Sequence, residues 1–234
     1  MRVRVGTSGY AYKEWKGTFY PEDLPADDML AYYAGRFDTV EINNTFYRMP
    51  TAKTIAGWAG AVPEEFTFVL KASQKITHFA RLVDVVDSVS YLCTTALQLG
   101  PRLGPLLFQL PPNFKQDLDR LRAFLTLLDQ EVRCVFEFRN ASWFTPDTYE
   151  LLRSRNVGLC VADTEDGTTP LEATADFGYL RLRDEGYGSD DLAAWAQKVK
   201  ELGVGWKDAF VFFKHEESGK GPALAREFKA LLNA

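Results

Sequence analysis

VFEFRN, spanning Val135–Asn140, is the stretch whose reading decides the fold. Val135, Phe136 and Phe138 belong to a strand covered on both faces, yet Glu137 and Arg139 sit at its far end. A buried strand leaves charges at its end only where they face a cavity or a partner. The same pattern recurs in VEIN (Val40–Asn43), FVLKAS (Phe68–Ser73), LLFQLP (Leu106–Pro111), CVAD (Cys160–Asp163), YLRLR (Tyr179–Arg183) and VFFKH (Val211–His215). When many strands carry polar groups at the same end, one rim of one sheet holds the chemistry.

Between these runs, strand alternates with helix. Strands are expected at Arg2–Gly6, Thr39–Asn43, Phe66–Ala72, Pro105–Leu110, Arg133–Phe138, Val157–Ala162, Gly178–Leu182 and Ala209–Lys214. Helices are expected at Asp27–Gly35, Ala52–Gly60, Asp84–Leu99, Leu118–Leu128, Asp190–Leu202 and Ala223–Leu232, with one more opening at Thr145–Pro146. There the threonine suits the cap and the proline the first turn. The link between the sixth and seventh strands carries no helix signal, so an irregular or missing helix is expected at that point. Eight strands alternating with helices imply a parallel sheet. Closure into an α/β, TIM-type (β/α)8 barrel removes the sheet edges and matches the count. The rival, an open doubly wound sheet, usually opens with a Gly-rich turn, and GTSGY (Gly6–Tyr10) is neither a P-loop nor GxGxxG. No linker or low-complexity tract divides the 234 residues, so one domain over 1–234 is expected.

Hydrophobic residues make up 46% and charged residues 25%, an ordinary globular mixture. A net charge of −5 argues against a general duplex-DNA coat, which needs a basic face. Cys93, Cys134 and Cys160 are odd in number and form no CxxC, which fits a reducing cytoplasm better than a disulfide framework or an all-cysteine zinc site. The opening MRVRVGTSGY has no apolar core and no run approaches a membrane span, so a soluble cytoplasmic protein with no membrane partner is expected.

Residues two apart share a strand face, which groups Glu41 with Asn43, Lys71 with Ser73, Glu137 with Arg139 and Arg181 with Arg183. Gln109 and Lys214 join this inner set by the same parity, and Asp163 closes the sixth strand. The ring then holds five cations (Lys71, Arg139, Arg181, Arg183, Lys214) against three anions (Glu41, Glu137, Asp163), which points to an anionic ligand. The alternative is a self-neutralised ion-pair plug. Glu41 and Glu137 could face each other across the pore at the ~5–9 Å that glycoside hydrolysis uses. Lys71 and Arg139 would depress both acids, however, which hinders a general-acid role. Glu41, Glu137, Asp163 and His215 are conceivable metal ligands, but with only two histidines, His78 and His215, zinc is disfavoured; magnesium or manganese on the carboxylates stays open, while the expectation is no metal and no cofactor. Lys71 or Lys214 as a Schiff-base lysine stays open. Ser8 lies in GTSGY, not in GxSxG.

Aromatics gather near the same rim: Tyr10, Tyr12 and Trp15, then Phe46 and Tyr47, then Trp143 and Phe144. They either stack on a ligand or fill their own loops. Tyr47 and Trp143 are the expected ligand contacts, because Arg48 and Arg139 lie close to them in sequence. In LPPNF (Leu110–Phe114) the prolines fix a rigid turn from which Asn113 can reach the cavity.

Taken together, GTSGY with the following Trp15, VEINNTFYR (Val40–Arg48), FVLKASQKITH (Phe68–His78), LLFQLPPNF (Leu106–Phe114), EFRNASW (Glu137–Trp143) and YLRLR resemble the YecE-like family, which carries a domain of unknown function. The resemblance runs in order through nearly the whole chain and implies a TIM-type barrel. The family's motif positions fall on Tyr10, Glu41, Asn43, Tyr47, Arg48, Lys71, Gln109, Glu137, Arg139 and Trp143. KHEESGKGP (Lys214–Pro222) departs from the longer asparagine-rich ending of many relatives, which leaves Lys214 and His215 without that support. The expectation is an enzyme site at the C-terminal mouth of the barrel, acting on a small phosphoryl-containing or nucleotide-like anion, with hydrolysis as the reaction class. Glu41, Lys71, Glu137, Arg139 and Asp163 are its catalytic candidates. Tyr10, Asn43, Tyr47, Arg48, Gln109, Trp143, Arg181, Arg183 and Lys214 are its substrate-binding candidates. The rivals are a non-catalytic or nuclease-associated binder of single-stranded nucleic acid and an inactive barrel that binds a partner.

Overall fold

A strand that feeds a helix and returns to the same sheet edge must pair in parallel with its neighbour, and this chain repeats that step throughout. The computed structural model describes residues 1–217 and 219–233. Its elements run β1 (Arg2–Thr7), α1 (Met29–Ala34), β2 (Thr39–Ile42), α2 (Ala52–Gly60), β3 (Thr67–Lys71), α3 (Val86–Leu97), β4 (Leu103–Gln109) and α4 (Leu118–Leu125). They continue with β5 (Cys134–Glu137), α5 (Pro146–Arg153), β6 (Gly158–Thr164), β7 (Gly167–Thr168), β8 (Phe177–Leu182), α6 (Ser189–Leu202), β9 (Asp208–Phe213) and α7 (Lys220–Asn233). In the order β1-β9-β8-β6-β5-β4-β3-β2 every neighbouring pair is parallel. The two ends of this series meet at a bridge between Ser8 and Glu41, where the Gly9 N–H donates to the Glu41 carbonyl at 2.8 Å. The result is the nearly closed eight-strand TIM-type barrel that the sequence predicts.

Local chemistry sets the element boundaries. Side chains of Thr51, Asp117 and Thr145 accept hydrogen bonds from the first turns of α2, α4 and α5. The seam between β1 and β2 requires Gly6, because a Cβ there would lie 2.2 Å from the Thr39 carbonyl oxygen. Three helices are shorter than expected, α1 beginning only at Met29 after a short 3-10 turn. Asp84 adopts φ +53° and so stands outside α3, and α4 stops at Leu125 where Thr126 caps it. Among the described residues, no helix joins β6 to β8. Instead β6 pairs antiparallel with β7 and forms a small arm with Glu165 and Asp166 at its turn.

The core has two layers. The larger lies between strands and helices, and a second cluster fills the pore with Val69, Leu107, Val135, Cys160, Tyr179, Phe210 and Phe212. Beneath it, Asp208 takes Arg4 at 2.7 Å and Arg133 at 2.8 Å, plugging the N-terminal end. Cys93, Cys134 and Cys160 are buried free thiols. Among the described residues, no helix is long and apolar enough to cross a membrane.

Candidate active site at the barrel mouth

Inner parity carries the polar residues at the C-terminal strand ends into one cluster above the apolar pore. Its centre is Arg181, fully buried on β8. Nη2 donates to Glu41 Oε1 at 2.9 Å and Nη1 to Glu137 Oε2 at 2.5 Å, so one guanidinium bridges carboxylates from β2 and β5. Glu41 also accepts from Ser8 Oγ at 2.7 Å and from the Tyr179 hydroxyl at 2.5 Å. Glu137 Oε1 accepts from Gln109 Nε2 at 2.8 Å and from Arg139 Nε at 3.3 Å. Gln109 in turn receives Lys71 Nζ on Oε1 at 2.9 Å. These are charge-assisted bonds in a dry setting, where each partner matters most.

Burial alone would raise the Glu137 carboxyl. The Arg181 and Arg139 guanidiniums outweigh it, with Gln109 and Lys71 assisting, and hold it at about 2. Glu41 is likewise pushed down, by Arg181 and the Tyr179 and Ser8 hydroxyls acting against burial. Lys71 is lowered to about 8, first by burial and then by Arg181. Burial, Lys71 and Arg139 together lower His78, and burial followed by Arg181 lowers Arg183.

Over this cluster opens a cavity of about 570 Å³ whose lining includes Glu137, Arg139, Arg183 and Glu185 together with Glu165, Asp166 and Thr169 of the β6–β7 arm. The structure thus brings Glu41, Lys71, Gln109, Glu137, Arg139, Arg181 and Arg183 together. Lys214 stands near the same rim, where burial and then Arg183 lower its pKa, and its Nζ lies 3.6 Å from Glu216.

Other candidates lie elsewhere. Asp163 faces outward, away from the pore: it accepts from Thr168, from Tyr187 at 2.5 Å and from Trp195 on α6 at 3.2 Å. The inner parity of β6 belongs to Cys160 and Ala162, so Asp163 falls on the helix-facing side. Trp143 is not at the mouth either. A short turn capped by Asn140 buries it completely, stacked on Phe138 at 4.6 Å, with its indole N–H on the Phe114 carbonyl. Tyr47 is 71% exposed and meets Phe46 edge-on, and it is Phe46 that lies under Lys71 Nζ at 4.2 Å. Arg48 is exposed to solvent. Tyr10 and Asn43 line a separate cavity of about 180 Å³ beside the β1–β2 seam, where Asn43 Nδ2 is buried without an acceptor. His215 is buried with Nε2 2.8 Å from the Asp184 carbonyl, so the four conceivable metal ligands named above do not converge.

Ser8 and Tyr179 are members of the cluster that the sequence reading passes over. Tyr179 was legible, since it stands two residues before Arg181 on the same face. Ser8 owes its place to an isolated bridge beyond the end of β1, which no periodicity announces.

Comparison with known proteins places this architecture in company. The family model described as "Protein of unknown function DUF72" matches residues 4–234. The chain is similar to the UPF0759 protein YunF of Bacillus subtilis, with 25% identity over 99% of this chain and 95% of that one. It is 31% identical to the UPF0759 protein YecE of Escherichia coli K12 over 55% of this chain and 47% of that one. Among solved structures, a DUF72 family protein from Thermotoga maritima superposes with a TM-score of 0.85 at 27% identity, covering both chains fully.

Proposed function

The chain belongs to the DUF72 family of proteins of unknown function, and from that premise we propose that the mouth of its barrel is an enzyme site for a small anionic substrate, phosphoryl-containing or nucleotide-like. The observation that carries this reading is the Arg181 clamp. Both buried carboxylates close on one guanidinium, and Arg183 together with Arg139, which is 3.3 Å from Glu137, lines the cavity above them and can meet an anionic group. Glu165 and Asp166 across the cavity can accept from hydroxyl or amino groups. That pairing suits a sugar phosphate or nucleotide better than inorganic phosphate.

Against burial, neighbouring cations depress both pore acids, as strand parity leads one to expect, with Arg181 the largest of them. Glu41 and Glu137 are held ionised, so neither serves as a general acid at neutral pH. Lys71, at about 8, is the group whose proton is exchangeable there. In hydrolysis of a phosphoryl compound, Lys71 takes a proton from the attacking water and returns it to the departing oxygen. Arg139 and Arg183 hold the phosphoryl oxygens meanwhile.

Titration calorimetry with a nucleoside monophosphate, at about 50 and 200 mM salt, tests this. Wild type is expected to bind with less than a tenfold loss over that range, and Arg139→Ala to bind at least about tenfold more weakly, one charge-assisted contact being lost. An affinity found only for oligonucleotides and falling about 10³-fold over the same range would make the mouth a polyanion surface instead. Equal nucleotide binding by Arg139→Ala would place the ligand elsewhere.

A further inference from the structure

Lys71 is a buried lysine served by a neutral partner. Its side chain is 9% exposed, and Nζ donates to the amide oxygen of Gln109 at 2.9 Å and rests 4.2 Å above the Phe46 ring. Gln109 cannot be turned the other way. Its Nε2 faces Glu137 Oε1, and a carboxylate with a pKa near 2 only accepts, so the amide oxygen must face Lys71. The pore carboxylates are meanwhile occupied, Glu41 by Ser8, Tyr179 and Arg181, and Glu137 by Gln109, Arg139 and Arg181. Buried cations normally survive through a paired anion. Among the described residues, no ion pair within 4.0 Å includes Lys71.

In its neutral form, an amine so placed keeps one N–H on an amide oxygen and has a lone pair to spare. It also stands at the C-terminal end of a barrel strand, where reacting groups of this fold collect. We propose that Lys71 is a covalent site: its amine adds to the carbonyl carbon of a small aldehyde or ketone that carries an anionic group, and the adduct collapses to an imine. The nitrogen lone pair forms the C–N bond, and the carbonyl oxygen gains the proton released by the amine, giving a carbinolamine. The C–O bond then breaks, one water leaves, and the C=N bond remains. No electrons are exchanged with a third party. The anionic group rests on the reading of Arg139 and Arg183 above; the imine itself does not.

The test is reductive trapping. The intact protein is incubated near pH 7.5 with sodium cyanoborohydride and either glyoxylate, which is anionic, or glycolaldehyde, which is neutral, and modified lysines are mapped by mass spectrometry. Exposed Lys53 and Lys115 in the same sample serve as internal standards. At that pH a lysine near 8 has about 200-fold more free amine than an ordinary one. Burial slows approach, so Lys71 is expected to react at least about tenfold faster than the standards, an excess that vanishes in urea. Glyoxylate should be preferred at Lys71, and Arg139→Ala should abolish that preference. Equal reaction of Lys71 with both aldehydes would uphold the imine and remove the anionic half. Labelling of Lys71 no faster than the standards, with both aldehydes, overturns the proposal even if calorimetry shows nucleotide binding.

Discussion

Arg181 is the residue on which the pore depends. Removing one partner of a buried ion pair typically costs about 3–5 kcal/mol, because the remaining charge has nowhere to go. Arg181→Met leaves Glu41 with hydroxyl partners alone, while Glu137 keeps Arg139 and Gln109, and should fall in that range at pH 7. The pH dependence carries the mechanism. In the wild type, Glu137 lies at about 2 against an ordinary 4.5, so its stabilisation is present above pH 5 and is lost as pH falls towards 2. Without the guanidinium, burial raises Glu41, whose direct partners are then hydroxyls alone, so the variant gains stability as it protonates between pH 7 and 5. Urea unfolding at pH 7 and pH 5 should therefore show the gap between the two proteins narrowing. A gap under about 1 kcal/mol at pH 7, or one that widens at pH 5, contradicts the clamp. Strand parity made Glu41, Lys71, Gln109, Glu137 and Arg181 legible as neighbours, because the strands are apolar between them. It could not show that Arg181 bridges the two carboxylates, since that is a choice of partner across the barrel. Asp163 misled for a simpler reason: it ends an apolar run, but on the opposite parity from Ala162.

At the scale of elements, a barrel is held by its seams and read from its helices. Gly6 permits β1 to approach β2, and Gly6→Ala, which sets a methyl 2.2 Å from a backbone oxygen, should cost at least about 1–3 kcal/mol. Gly57 is an exposed position inside α2, and nothing lies within 4 Å of the place its Cβ would take. Gly57→Ala should therefore stabilise by about 0.5–1 kcal/mol. Denaturant midpoints at unchanged slope check the pair; similar effects from both would mean that the seam is not tight. Strands and helices were legible through hydrophobic period and capping residues such as Thr145. What escaped was local backbone: the left-handed Asp84 that delays α3, and the capped turn that buries Trp143. Neither leaves a periodic signal. The absent helix after β6 was legible as a gap, but not as an arm that brings Glu165 and Asp166 over the cavity.

At the scale of the molecule, an acidic chain of net charge −5 gathers Lys71, Arg139, Arg181 and Arg183 at one end of its barrel, beside the acids Glu165, Asp166 and Glu185 that share the cavity there. One end is closed by Asp208 between two arginines, and the other opens over Arg139 and Arg183. The most direct measurement is the melting temperature of wild type and Arg139→Ala in phosphate, sulfate and chloride at equal ionic strength. Sulfate and phosphate stabilise many proteins through exclusion from the surface, so the variant sets the baseline. A bound anion adds stability according to its concentration relative to Kd, and only where the site is intact. Wild type is predicted to gain more than Arg139→Ala in phosphate and sulfate, with both alike in chloride. Parallel shifts of the two proteins in all three salts would contradict an anion site at the mouth.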